Sequence, residues 1–325
     1  MVLVLIYNRM REKLKYTPEF DQLTTKEHFL LDKLTDAIRN FVRKTPEINR
    51  LPYKTRDAHA TTYDILQGKF LVDEAFKQYS LFPDTVLDAT LRISNAHMKI
   101  VKRNALPAYG FSLKLMHDGQ TTANFPLVNF PLFPFDNVSN FLKLFIALNN
   151  YFSGGFSQKC YSVINIMGKI ISIFPQVLHR DFLKNIVHLI KRRNNSLFSF
   201  EYHSIGAYRF GEHVVKLKLI PEQLTSQTSA EDLFAEKGQY IVNLYIQYAY
   251  DLKDQPVNIL HREWKNSSFI CVGKFIFTSY ADKNDPNLER LSFNPFESIE
   301  AFQPVGRIQQ LRNKAYKASL QQRTL

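Results

Sequence analysis

Arg312 and Tyr316, four residues apart near the C-terminal end, carry the sharpest chemistry in this sequence. On a helix that spacing sets both on one face, with the guanidinium beside the phenol. A fixed positive charge there favours the phenolate. An anionic oxygen held against a core is a ligand for a cation, and tyrosinate is one of the few protein ligands of haem iron. The same pair on a surface helix is an ordinary stacked or hydrogen-bonded couple, so its meaning rests on what the rest of the chain sets opposite it.

The element that must hold the pair reads as one helix from Phe302 to Arg323. Pro304 suits its first turn, where a missing N–H loses no intrahelical partner. Ile308, Leu311, Ala315, Ala318 and Ser319 recur at three and four, as in a helix buried on one side. Residues 1–50 are expected to form a helical arm. Thr24 and Glu27 make a capping-box start, with Phe29, Leu30, Leu34, Ile38 and Phe41 following at helical spacing. Pro46 and Pro52 are expected to break that pattern. Residues 51–325 read as one β-rich domain. Short alternating runs at 85–94, 109–115 and 125–135, with Asp118-Gly119 as a hairpin turn, favour an antiparallel sheet large enough to curl into a barrel. Alternation returns over 198–220, 240–252 and 269–279. Helical patterns fill 137–193, interrupted at Ser153-Gly-Gly and Pro175, and return over 230–237. The fold class is therefore α+β: an antiparallel β-barrel with helical inserts and a C-terminal helix.

Composition narrows the partners. With 45% hydrophobic and 14% aromatic residues the 325-residue chain is globular, and disorder is excluded. Its 27 phenylalanines need a large apolar volume to fill or an apolar ligand to surround. A formal net charge of +12 admits nucleic acid, an anionic membrane surface or acidic substrates. The Lys and Arg residues are dispersed, with Lys191-Arg-Arg193 the densest run and no nucleic-acid motif beside it, so nucleic acid is not expected. Cys160 and Cys271 are too few for a disulfide framework and lack metal-ligand spacing. The apolar start, Met1-Val-Leu-Val-Leu-Ile-Tyr7, is too short for a signal core and has its basic residues after it. No apolar run is long enough to span a bilayer. A soluble, cytoplasmic protein is expected, with peripheral membrane contact left open.

In their order along the chain, five segments resemble the haem catalase superfamily. Arg56-Asp-Ala-His59-Ala is similar to the family's Arg-x-x-His-Ala strand, and Leu91-Arg92-Ile-Ser94 to its Arg-Phe-Ser strand. Tyr109-Gly-Phe-Ser-Leu-Lys114-Leu resembles its Gly-Phe-Ala-Val-Lys-Phe strand, and Val128-Asn129-Phe-Pro131-Leu-Phe133 its Asn-Thr-Pro-x-Phe-Phe segment. Arg312-Asn-Lys-Ala-Tyr316 resembles the proximal Arg-x-x-x-Tyr motif. The C-terminal stretch from Leu291 looks most like the small catalase-related peroxidases.

The resemblance implies a catalase-like barrel, haem b (iron protoporphyrin IX) as cofactor, and a C-terminal helix that supplies the proximal ligand. It makes Tyr316 the iron ligand, with Arg312 keeping it ionised, and places His59 and Asn129 as the distal catalytic pair acting on peroxide. It implies propionate pairing for Arg56 and Arg92, a hydrogen bond from Ser94 to the His59 ring, and Phe141 as the ring packed on the porphyrin. The implied substrate is hydrogen peroxide or an organic hydroperoxide, lipid hydroperoxides included, and a homodimer is compatible with it. Two alternatives stand beside this: a fatty-acid hydroperoxide isomerase similar to the allene oxide synthases, and a non-catalytic haem-binding protein. The allene oxide synthases carry Thr directly before the distal His, where this chain has Ala58. Large catalases have Lys-Gly after the distal His-Ala and Asp-Thr beyond the ligand tyrosine; here the residues are Thr61-Thr and Lys317-Ala-Ser. Shortened flanks predict a more open haem pocket.

Overall fold

Residues that alternate in character along the chain pair into one antiparallel sheet. The computed structural model describes residues 11–77, 81–100, 107–282 and 285–325. Its strands are β1 (Thr62–Val72), β2 (Val86–Asn95), β3 (Tyr109–His117), β4 (Gln120–Val128), β5 (Tyr202–His203), β6 (Ala207–Phe210), β7 (His213–Pro221), β8 (Tyr240–Tyr248), β9 (Phe269–Ala281) and β10 (Pro304–Val305). Strands β7, β5, β4, β3, β2, β1, β9 and β8 follow one another around a ring that the β7–β8 pairing closes, while β6 and β10 extend it beside β7. Closure removes the open edges that would invite a second chain. The β3–β4 turn is Asp118-Gly119, both at positive φ, as its sequence predicts.

The barrel fills from within. Leu87, Ala89, Leu91 and Ile93 of β2, Phe111, Leu113 and Leu115 of β3, and Ala123, Phe125 and Leu127 of β4 all belong to one buried cluster. Phe111 stacks on Tyr202 with ring centres 3.7 Å apart. The intervening residues, Arg92 and Ser94 on β2 and Gly110 and Ser112 on β3, lie on the outer face.

Against that outer side stands a separate helical cluster. Helix α1 (Thr25–Asn49), α2 (Val138–Ser153) and α6 (Arg307–Thr324) share it, through Leu34, Ile38, Phe41, Leu142, Leu311 and Ala318. Between α2 and α6 come α3 (Phe156–Ser172), α4 (Arg180–Lys191) and α5 (Ala230–Lys237). The capping box at the start of α1 forms as expected, Thr24 and Glu27 each bonding the other's backbone N–H. Glu27 also grips Arg307 with both carboxylate oxygens at 2.7 Å, which fastens the first turn of α6 to the first turn of α1.

Three expectations are corrected. Among the described residues of the N-terminal arm the helix starts at Thr25: residues 11–24 run largely extended, Leu14 and Tyr16 bonding the backbone of Ala249, Val214 and Glu212, and a 3₁₀ turn spans Pro18–Asp21. Residues 1–10 of that arm lie outside the described residues. Pro46 does not end α1, which continues to Asn49. The proline removes the N–H that would bond the Val42 carbonyl, and the Thr45 hydroxyl donates to that carbonyl instead at 2.7 Å. Pro304 is not in the first turn of the last helix; Pro304 and Val305 pair with Tyr208 and Ala207 as a short strand. The helix starts at Arg307, after Gly306 at φ 109°, whose N–H is held by Asp21.

Candidate active site

His59 sits in the turn that leads into β1, with φ 55°, a left-handed conformation uncommon outside glycine. Arg92 on the neighbouring strand holds the turn there. Its Nη2 donates to the His59 carbonyl at 2.6 Å and its Nε to Thr62 Oγ1 at 3.0 Å. The imidazole ring turns back over β2 and β3. Ser94 Oγ is 3.2 Å from His59 Nδ1 and 3.4 Å from the Gly110 carbonyl. A hydroxyl that donates to that carbonyl accepts from Nδ1–H, which leaves Nε2 with the lone pair. Gly110 makes room for the ring: a Cβ there would lie 2.5 Å from Nδ1 and 2.8 Å from Ser94 Oγ. Burial, then the charges of Arg92, Arg312 and Arg56, push the His59 pKa down to about 3, so the ring is neutral. By solvent contact the His59 side chain is half-buried.

Helix α6 carries the other half. Arg312 Nη2 donates to Tyr316 Oη at 3.0 Å, its guanidinium carbon lies 5.4 Å from the Tyr316 ring centre, and its Nη1 bonds Gln309. Burial works against the Arg312 charge, but the Tyr316 and Tyr208 phenols outweigh it and hold the guanidinium above its ordinary value. Arg312 on the helix also bears on the barrel wall, since its charge is among those that lower His59.

Between them is a buried cluster richer in cations than anions. Arg56 Nη2 donates to the carbonyls of Leu288 and Leu291, at 3.0 and 2.9 Å. Glu289 Oε2 is 3.5 Å from Arg56 Nε and 3.6 Å from Arg323 Nε, and neither that oxygen nor Arg56 Nε completes a hydrogen bond. Arg323 reaches Ser319 Oγ at 2.6 Å and the Glu289 carbonyl at 2.9 Å. Burial, and next the charge of Arg56, push both Arg92 and Arg323 down to about 9. Burial also raises Asp57, against its bond to Ser319 and the pull of Arg323, which weakens it as a counter-ion. Three arginines sharing Glu289 and Asp57 suit a dianionic group such as the two propionates of haem.

Arg323 and Glu289 were not expected from the sequence. Arg323 had a signal: it lies seven residues beyond Tyr316 and eleven beyond Arg312, on the same face of α6. Glu289 lies in a 3₁₀ turn, Pro286–Arg290, and had none.

Asn129 bonds backbone on both sides of its amide. Its Oδ1 accepts from the Tyr109 N–H at 2.8 Å and its Nδ2 donates to the Pro107 carbonyl at 2.8 Å. Strand β4 ends at Val128, which pairs with Gly110 on the outer face that Ser94 shares, and Asn129 follows as the first residue beyond the strand. It lines a 270 Å³ cavity with Phe200, His203, Lys216 and Trp264 that includes neither His59 nor Tyr316. Phe141 joins Phe133, Phe135 and Phe145 in an aromatic group of the helical cluster, with centroids 4.5–5.6 Å from its own. Arg56 is committed to Glu289 and two carbonyls, and Arg92 to the His59 turn, besides any propionate.

No family model and no curated relative matches the sequence. Solved structures do match the fold. A fungal catalase superimposes with a TM-score of 0.63 at 15% identity, over 84% of this chain and 60% of its own. Catalase A from Saccharomyces cerevisiae gives 0.62 at 15% identity, over 97% and 67%, and a bacterial catalase 0.58 at 13%, over 97% and 63%. The chain has the catalase fold, and it spans only about 60% of the fungal catalase.

Proposed function

We propose that this protein is a haem-dependent oxidoreductase that decomposes hydrogen peroxide or organic hydroperoxides, closest in kind to the small catalase-related peroxidases. The observation that carries this reading is the Arg312–Tyr316 hydrogen bond on α6, coupled by charge to the wall that presents His59. Tyr316 would hold the iron of haem b through its phenol oxygen, with Arg312 donating to that oxygen. Arg56, Arg92 and Arg323 would meet the propionates, and Phe141 is the candidate ring beside the porphyrin. Bound haem supplies the redox chemistry of O–O cleavage, and the chain supplies orientation and proton handling.

His59 takes a proton from the peroxide at Nε2 and returns it to the departing oxygen. Its neutrality leaves the lone pair available, and Ser94 and Gly110 fix the ring plane. Asn129 serves in this reading as a positioning residue: its amide ties the start of β3 to the end of β4, and acid–base work falls to His59 alone. Ala58 offers no hydroxyl to His59, so the serine on β2 is the ring's partner, which favours peroxidase chemistry over the isomerase alternative.

The test is an absorption spectrum of the haem-reconstituted protein before and after hydrogen peroxide, then a lipid hydroperoxide, with a reducing dye present. A tyrosinate-type ferric spectrum that Tyr316→Phe abolishes, together with dye oxidation, is the expected result. Oxygen release identifies catalase action, and loss of lipid hydroperoxide without dye oxidation identifies the isomerase. Haem uptake without turnover leaves a haem-binding protein, and haem content unchanged in Tyr316→Phe removes that ligand.

A further inference from the structure

Helix α3 is inverted relative to α1, α2 and α6. Among their described residues those three helices expose one large apolar side chain, Phe29; α3 exposes an apolar stripe, and the one residue it buries is polar. Ser162 is buried, and Lys169 turns inward to Asn140 on α2 at 3.1 Å. On the other side Phe156, Ile164, Met167 and Ile171 are 86, 71, 59 and 70% exposed. Their spacing, completed by Val163, Ile170 and Phe174, is that of one continuous face, and Tyr161 flanks it. Helix α4 repeats the arrangement on a smaller scale, with Leu183, Val187 and Ile190 exposed at intervals of four and three. No described residue covers these side chains.

Charge says what kind of surface would. Residues 156–193 contain seven Lys and Arg against a single acid, Asp181, so this stretch carries six of the chain's net twelve positive charges. Lys159, Arg180, Lys191 and Arg193 are exposed beside the apolar residues. A second copy of the chain would set this basic rim against itself, since a two-fold interface pairs the same patch with itself. An anionic bilayer complements both features. Apolar side chains enter the boundary between headgroup and acyl chain, while long cationic side chains extend to the headgroups. Among the described residues no helix is long and apolar enough to cross a membrane, so the contact is a surface one.

We propose that α3 and α4 form a docking face for an anionic lipid bilayer, α3 lying in the interface and the basic residues around it reading negative headgroups. This does not depend on haem, so it stands or falls separately from the proposed activity. The test is flotation of the full chain with phosphatidylcholine vesicles, with and without phosphatidylglycerol, at low and high salt, alongside sedimentation of the protein alone. Expected are binding to the anionic vesicles, weakening with salt, and a loss of roughly tenfold or more in Ile164→Glu/Ile171→Glu. Both side chains face solvent, so the fold is retained, which circular dichroism checks. Lys159→Glu/Lys191→Glu should weaken binding to anionic vesicles without changing the oligomeric state. Three outcomes would overturn the proposal: no binding to either vesicle, equal binding by the Ile164→Glu/Ile171→Glu variant, or a dimer in solution that this variant dissociates while vesicles bind nothing.

Discussion

Along β2 and β3, Leu91, Ile93, Phe111 and Leu113 point into the barrel, and Arg92, Ser94, Gly110 and Ser112 alternate with them on the outside. The inner side chains gain from burial, about 1.5–3 kcal/mol for each large one. The outer ones assemble costs: buried arginines pushed down to about 9, a histidine turn at φ 55° and a carboxylate oxygen without a hydrogen bond. A wall whose one face is comfortable can hold strain and unbalanced charge on the other. Stability and chemistry are thereby separated by a single residue step along each strand.

That separation can be broken by substitution on either face. On the outer face His59→Ala should keep haem and fold while turnover with peroxide falls by about 10²–10⁴; steady-state kinetics checks this, and an unchanged rate would remove His59 from the chemistry. On the inner face Phe111→Ala should cost about 3–5 kcal/mol of stability in denaturant titration, while turnover per folded molecule stays near that of the parent. Coupled losses in both measurements would mean that the two faces are not independent. The smallest expected effect sharpens the comparison further. A histidine pushed down to about 3 keeps its lone pair above that pH, so kcat/KM should show no step from His59 between about pH 8 and about pH 5. A step near 6.5 would mean that the ring is solvated and not held in the wall.

Much of the scaffold was legible in the sequence. Alternation marked the strands, Asp118-Gly119 the tight hairpin, and Thr24 with Glu27 the start of α1, because each signal is local and its geometry follows from backbone sterics. Pro46 and Pro304 were misread for a related reason. The rule for proline is local, but its outcome turned on a neighbouring hydroxyl in one case and a distant strand in the other.

By itself the sequence determined the fold class, the ordered segments that bring His59 beside Ser94 and Arg92, and the Arg312–Tyr316 face of α6, since spacing along a helix or strand sets which side chains are neighbours. Only the tertiary structure decided that Arg323 and Glu289 join Arg56, that Asn129 turns to backbone, and that α3 shows its apolar side to solvent. Those outcomes depend on which remote surface each residue meets. A 3.6- or two-residue period states that a face exists and leaves open what lies across from it.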